Sequence, residues 1–190
     1  ISTSSTALQA LTDAVLYLVA YPFECSEQLA SRILAVAALR DVMTAFQAAG
    51  LPPPKEIDAA VDQDIARLQT MQNNDGGWPV WRRGEESWPY HSIHAANALQ
   101  RAKQKGYDVP QGTLDKALDY LRNIERYYPP EYTEDVRRTL TSYALNVRKQ
   151  MGDADPTRAR SLIQEAGLEK LPLEAVGWLL PVLSDDPGSK

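Results

Sequence analysis

The chain has 190 residues, a formal net charge of −5, 44% hydrophobic and 24% charged residues. That is enough for one domain with a real core, and ordinary for a globular protein. Scattered basic residues under a negative balance argue against nucleic acid as a partner, and no apolar stretch approaches the roughly 18 residues of a membrane span, so this segment is not expected to insert into a membrane. The chain opens Ile1-Ser2-Thr3-Ser4, with neither Met nor a basic-then-apolar leader, and reads as a processed or excised piece.

Taken in order, almost every segment reads as helix, because apolar residues recur at three and four and strand-like alternation is missing. The predicted helices cover about 6–20, 26–49, 54–72, 89–105, 112–125, 133–151, 156–166 and 172–183. Pro22 breaks the first from the second. Gly50 with Leu51-Pro52-Pro53 stops the second, and Pro54 suits the first turn of the third. The third carries a core stripe of Ile57, Val61, Ile65, Leu68 and Met71. Asn73-Asn74-Asp75-Gly76-Gly77 is a turn cluster, and Gly106 ends the next helix. Tyr128-Pro129-Pro130 separates the fifth helix from the sixth, which Thr133 caps and which carries the stripe Val136, Leu140, Tyr143, Ala144 and Val147. Asp155-Pro156 opens the seventh. Short loops between helices of similar length imply antiparallel hairpins in series, hence a solenoid or a ring of helices.

The stretch that carries chemistry is Tyr21-Pro22-Phe23-Glu24-Cys25-Ser26-Glu27-Gln28. A lone cysteine is by default a small buried apolar residue. Here it stands at the start of a helix, where unpaired N–H groups and the dipole favour thiolate, while Glu24 and Glu27 pull the other way. Gln28 follows three residues later, so sulfur and side-chain amide share one face of the first turn. Joining them with loss of ammonia gives an intramolecular thioester.

Cys-x-Glu-Gln behind a Tyr-Pro lead resembles the thioester signature of the alpha-2-macroglobulin and complement family, in its bacterial branch. The resemblance implies that Cys25 supplies the sulfur, Gln28 the acyl group, and Glu27 the motif acid. Tyr21 and Phe23 would help shield the bond. Glu24 departs from the glycine that many family members have before the cysteine. Gln72-x-x-x-Gly76-x-Trp78 is similar to a clasp between helices of alpha/alpha-toroid proteins, with Trp78 packing back on the helix ends.

Other candidates have plainer explanations. His91 and His94, spaced i, i+3, lack a third metal ligand and are expected to be structural. The position of the downstream histidine of complement-like relatives falls at about 124–132, which holds Tyr127, Tyr128 and Tyr132 instead. Direct attack by amines, without a histidine relay, is therefore expected. Asp62 and Asp64, faintly like a cyclase acid, fit a solvated helix face, and Arg82, Arg83, Glu85 and Glu86 fit an exposed loop.

The expected fold is all-α: helical hairpins forming an alpha/alpha toroid like that of the terpenoid cyclases. Residues 1–184 would form the thioester domain and 185–190 a tail. The match covers about the first two-thirds of such a domain, implying an incomplete ring or a shortened domain and apolar surface left on its last hairpin. The family resemblance implies a protease inhibitor, not an enzyme. After bait cleavage elsewhere in the parent protein, the thioester would capture lysine amines of the protease, with neighbouring domains shielding it beforehand. A periplasmic or envelope-anchored parent is implied, with no cofactor and no metal. The rivals are a helical-repeat binding module with a structural Cys25, and a toroid enzyme of terpene-cyclase type.

Overall fold

The computed structural model describes residues 14, 17, 18, 21, 23–46 and 53–189. The predicted first helix, apart from 14, 17 and 18, lies outside these, as do Pro22 and Gly50-Leu51-Pro52. The described helices are α1 (Ser26–Phe46), α2 (Pro54–Met71), α3 (Pro89–Gln104), α4 (Gln111–Arg122), α5 (Glu134–Gln150), α6 (Pro156–Ala166) and α7 (Leu173–Ser184). Among the described residues there is one isolated bridge, Arg83 to Glu85, and no strand.

Local chemistry sets the boundaries. Pro54, Pro89 and Pro156 occupy first turns, where a missing N–H costs nothing. Thr133 and Asp155 cap α5 and α6 by accepting from Val136 N–H and Arg158 N–H. At the end of α3, Gly106 at φ +91° lets its N–H reach Lys103 O while Tyr107 N–H reaches Ala102 O, a Schellman closure. The predicted helix over 112–125 is shorter than expected. It stops at Arg122, and a 3₁₀ turn over Ile124–Tyr127 follows.

Packing follows an alternation. α1 packs on α3, α3 on α5 and α5 on α7, whereas α2, α4 and α6 flank this row from outside. Inner helices are covered on two sides and so bury small residues all round: Ala30, Ala37, Ala95, Ala96, Ala98 and Ala102 are essentially inaccessible. Outer α2 buries all five predicted stripe residues and, beside them, Asp64. In the α5 stripe, Val136 is exposed and the other four are buried. One helix in, one helix out is the arrangement of an α/α toroid. α7 ends the row with Leu173 and Leu180 exposed by 84% and 68%. Asp185 and Asp186, expected in a tail, are tied back to Lys149 and Arg160.

Candidate functional site

α1 starts on Cys25. The Cys25 carbonyl accepts the first helical hydrogen bond, from Leu29 N–H at 3.0 Å. Gln28 N–H then donates to Cys25 Sγ at 3.4 Å, and Cys25 N–H donates to Gln28 Oε1 at 3.2 Å. This is a capping box with a thiol in place of the usual hydroxyl. Two otherwise orphaned N–H groups find partners, and the same bonds draw the sulfur and the glutamine amide to one end of the helix. Cys25 is buried; Gln28 and Glu27 are half-buried, and Glu24 is exposed.

The start of α1 is held from two directions. Ser26, fully buried, donates its N–H to Val80 O at 3.0 Å and its hydroxyl to Pro79 O at 2.6 Å. Those carbonyls belong to the loop built by the Gln72–Gly76–Trp78 clasp. Gln72 Nε2 donates to Gly76 O and to Thr113 O, both at 3.0 Å, and the fully buried Trp78 indole donates to Leu68 O at 2.8 Å. Gly76 has φ +90°, and a Cβ there would lie 2.1 Å from Lys116 O. The expected hairpin clasp is present, and it also positions the residue after Cys25.

From the other side, Arg32 Nε donates to Asp64 Oδ2 at 2.6 Å, while Arg32 Nη1 donates to Tyr21 O at 3.1 Å. The paired carboxylate and its hydrogen bond hold the Arg32 guanidinium above its ordinary pKa. The expectation that Asp64 lies on a solvated face is corrected: Asp64 is 3% exposed and pairs with α1. Its neighbour Asp62 is exposed. Burial pushes the Asp64 carboxyl above its ordinary pKa, against the lowering effect of the Arg32 hydrogen bond and charge.

The structure brings to the site two residues that the sequence had left as merely structural. His91 Nδ1 lies 2.9 Å from Ser26 Oγ, and His94 Nε2 lies 2.9 Å from Ser31 Oγ. The second serine donates to Glu27 Oε1 at 2.7 Å. Burial lowers the pKa of both imidazoles, against the pull of the Glu27 carboxylate. Their i, i+3 spacing pointed to a shared face. That the face meets the thiol-bearing helix depends on α3 packing on α1, which spacing does not reveal. The tyrosines at 127, 128 and 132 serve the α4–α5 joint: Tyr127 stacks on Tyr120, Tyr128 meets Thr141 Oγ1 at 2.9 Å, and Tyr132 O accepts from Arg137.

Beside the motif is a cavity of about 320 Å³ lined by Tyr17, Leu18, Tyr21, Glu27, Gln28, Ser31 and Arg32. Tyr21 is thus a wall of the space that Gln28 faces. Phe23 is 57% exposed and stands edge-on to the Tyr21 ring at 5.5 Å. Among the described residues no group of three His, Cys, Asp or Glu side chains could hold a metal ion, and no helix is long and apolar enough to cross a membrane.

No family model matches the chain. Curated relatives do. Alpha-2-macroglobulin of Thermotoga maritima is 30% identical over 116 residues, covering 61% of this chain and 7% of that protein. Alpha-2-macroglobulin of Escherichia coli is 27% identical over 177 residues, covering 87% of this chain and 10% of that protein. The chain is related to the bacterial alpha-2-macroglobulins. Circularly permutated Ras protein 2 of Dictyostelium discoideum also matches, at 24% identity over 98% of this chain and 5% of that protein. The chain therefore spans a tenth or less of the length of these relatives.

Solved alpha-2-macroglobulins share the fold. That of Salmonella reacted with methylamine gives a TM-score of 0.77 at 22% identity, over 94% of this chain and 12% of that one. The trypsin-activated protein from Escherichia coli gives 0.70 at 23% identity, over 90% and 12%. A drimenyl diphosphate synthase of Streptomyces showdoensis is 39% identical, but over only 37% of this chain and 12% of its own length. That match covers a smaller share of this chain than either alpha-2-macroglobulin match.

Proposed function

We propose that this chain is a thioester domain of a protease-trapping protein. The Cys25 thiol adds to the Gln28 side-chain carbonyl and ammonia leaves, closing an intramolecular thioester. An incoming amine then forms a C–N bond at the same carbon, the C–S bond breaks, and Cys25 departs as the thiolate, which takes up the proton the nitrogen loses. A lysine of a protease would supply the amine once a bait elsewhere in the parent had been cut. The product is an isopeptide link and one spent thiol, so the protein acts once, as an inhibitor rather than an enzyme. The parent would reside in the periplasm or on the envelope, with neighbouring domains completing the shield begun by Tyr21.

The observation that carries this reading is the reciprocal cap, in which Cys25 Sγ and Gln28 Oε1 each accept from the other residue's N–H. Helix formation itself delivers the two reacting groups to one place, the proximity effect that makes such closures feasible. The sequence relatives and the methylamine-reacted and trypsin-activated neighbours support it.

Intact mass of the full-length parent, before and after methylamine, tests it. The expected result is a starting mass short by one ammonia, followed by methylamine uptake and a newly titratable Cys25. A full-length parent with an unshifted mass and a free thiol at the outset would overturn the proposal.

A further inference from the structure

Behind Glu27 a line of hydrogen bonds crosses three inner helices. Ser31 Oγ on α1 donates to Glu27 Oε1 at 2.7 Å. His94 Nε2 on α3 is 2.9 Å from Ser31 Oγ, His94 Nδ1 is 3.0 Å from Tyr143 Oη on α5, and Asn97 Nδ2 donates to Tyr143 Oη at 3.0 Å. Tyr143 in turn stacks on Trp178 of α7 with ring centroids 4.3 Å apart. Every inner helix thus contributes a residue.

The direction of the line can be derived. A carboxylate only accepts, so the Ser31 proton goes to Glu27 and Ser31 Oγ is left to accept from His94 Nε2–H. The neutral imidazole then has its lone pair on Nδ1, which takes the Tyr143 proton. Tyr143 Oη accepts from Asn97. Reversal would require Asn97 to turn its Oδ1, which is buried without a hydrogen-bond partner, toward Tyr143. The charged and titratable groups around His94 are Glu27 on α1, Tyr90 and His91 on α3, and Tyr143 on α5; the Tyr90 ring stacks on His94 at 5.5 Å.

Glu27 and Gln28 line the same cavity. An amine entering it to reach the Gln28 carbonyl meets the Glu27 carboxylate, whose reach is limited by the Ser31 bond. We infer that Glu27 is the proton acceptor for amine attack, and that Ser31, His94 and Tyr143 are the positioning residues that hold it on the cavity wall. The inference rests on the thioester reading above. In the step, the amine nitrogen bonds to the Gln28 carbonyl carbon and gives one proton to Glu27. The C–S bond breaks, and Glu27 passes that proton to the leaving Cys25 sulfur, regenerating the carboxylate. No outside base is consumed.

The test measures thiol release by methylamine in the full-length parent and its variants, each first weighed to show the bond is present. Glu27→Gln should slow release by about a hundredfold, the low end of general-base effects, and Ser31→Ala or His94→Gln by about tenfold through lost positioning. Ser31→Thr, which keeps the hydroxyl, should restore the rate to within about threefold of the parent, a rescue that loss of packing alone would not produce. If His94→Gln arrives without the bond, Tyr143→Phe provides the same readout, since its ring still stacks on Trp178. A parent-like rate in Glu27→Gln would overturn the inference, as would parent-like rates in Ser31→Ala and in the His94 or Tyr143 variant, or Ser31→Thr reacting as slowly as Ser31→Ala. A parent lacking the ammonia deficit would instead overturn the thioester reading, and this inference with it.

Discussion

The two ends of the helical row are built from different materials. Along α1, α3 and α5 and at the α1–α2 contact, the interior is partly polar: Ser26, Asp64, Ser92 and Thr141 are buried, and each has a partner. At the α6–α7 end a separate cluster of Leu145, Ala159, Leu162, Ala166, Leu171, Leu179 and Val182 is purely apolar, and none of the buried polar residues lies on α6 or α7. The first end fixes geometry, because a hydrogen bond specifies an angle and a partner, and an unpaired buried group is penalised. The second end only adheres, since hydrophobic burial is non-directional. A site that must present a sulfur, an amide and a carboxylate in register belongs at the first end.

The largest effect should follow from removing the clasp. Trp78→Ala deletes a fully buried indole and orphans Leu68 O, and should destabilise the domain by about 3–5 kcal/mol. Urea unfolding would measure this. If Trp78 also positions the Cys25 turn, protection of Ser26 N–H in hydrogen exchange should fall with it, because its acceptor is Val80 O in the same loop. Unchanged protection at Ser26 would mean that the clasp stabilises without positioning. Asp64→Ala comes next. It leaves Arg32 unpaired in a mostly buried setting and should cost about 3 kcal/mol, the lower part of the range for breaking buried pairs. The same variant frees the arginine that holds Tyr21 O, so fluorescence quenching of the Tyr21 region should rise even where the fold survives.

Much of this was legible in the sequence, for reasons that can be traced. Helix periodicity gave the α2 stripe residue by residue, because an outer helix buries one face and solvates the rest. The Cys25–Gln28 spacing gave the shared helical face, because a first turn is local. Val136 misled: it falls on the α5 stripe, but in the first turn, where it is exposed. Asp64 misled the other way. Its pairing with Arg32 spans 32 positions, and no period encodes a long-range partner. His91 and His94 are the same case, because their neighbours Ser26 and Ser31 lie more than 60 positions earlier. What depends on one helix could be read; what depends on which helix lies alongside required the fold.

A smaller effect should separate the ends by pH. His91 and His94 are both lowered in the folded state by burial. The unfolded chain therefore binds their protons more readily, so stability is fully present above the unfolded imidazole value of about 6.5 and is lost as pH falls below it. Urea midpoints should fall on acidification through that window. In His94→Gln the fall should be shallower, because one of the two responding groups is gone. An unchanged slope would place the pH response in other groups.

The smallest effect concerns the apolar end. Leu173 and Leu180 lie seven positions apart on α7 and are 84% and 68% exposed, so replacing both by serine removes little interior contact. The unfolding midpoint should move by no more than about 0.5 kcal/mol. In contrast, Leu162→Ala, at 2% exposure inside the neighbouring cluster, should cost about 2–5 kcal/mol. If the exposed leucines meet another surface in solution, the double serine variant should lower the concentration dependence of sedimentation while leaving methylamine reactivity unchanged, because no hydrogen bond of the Cys25–Gln28 cap or of the line behind Glu27 passes through Leu173 or Leu180. A change in reactivity without a change in association would show that the two ends communicate through Trp178, the one residue of α7 that stacks on Tyr143.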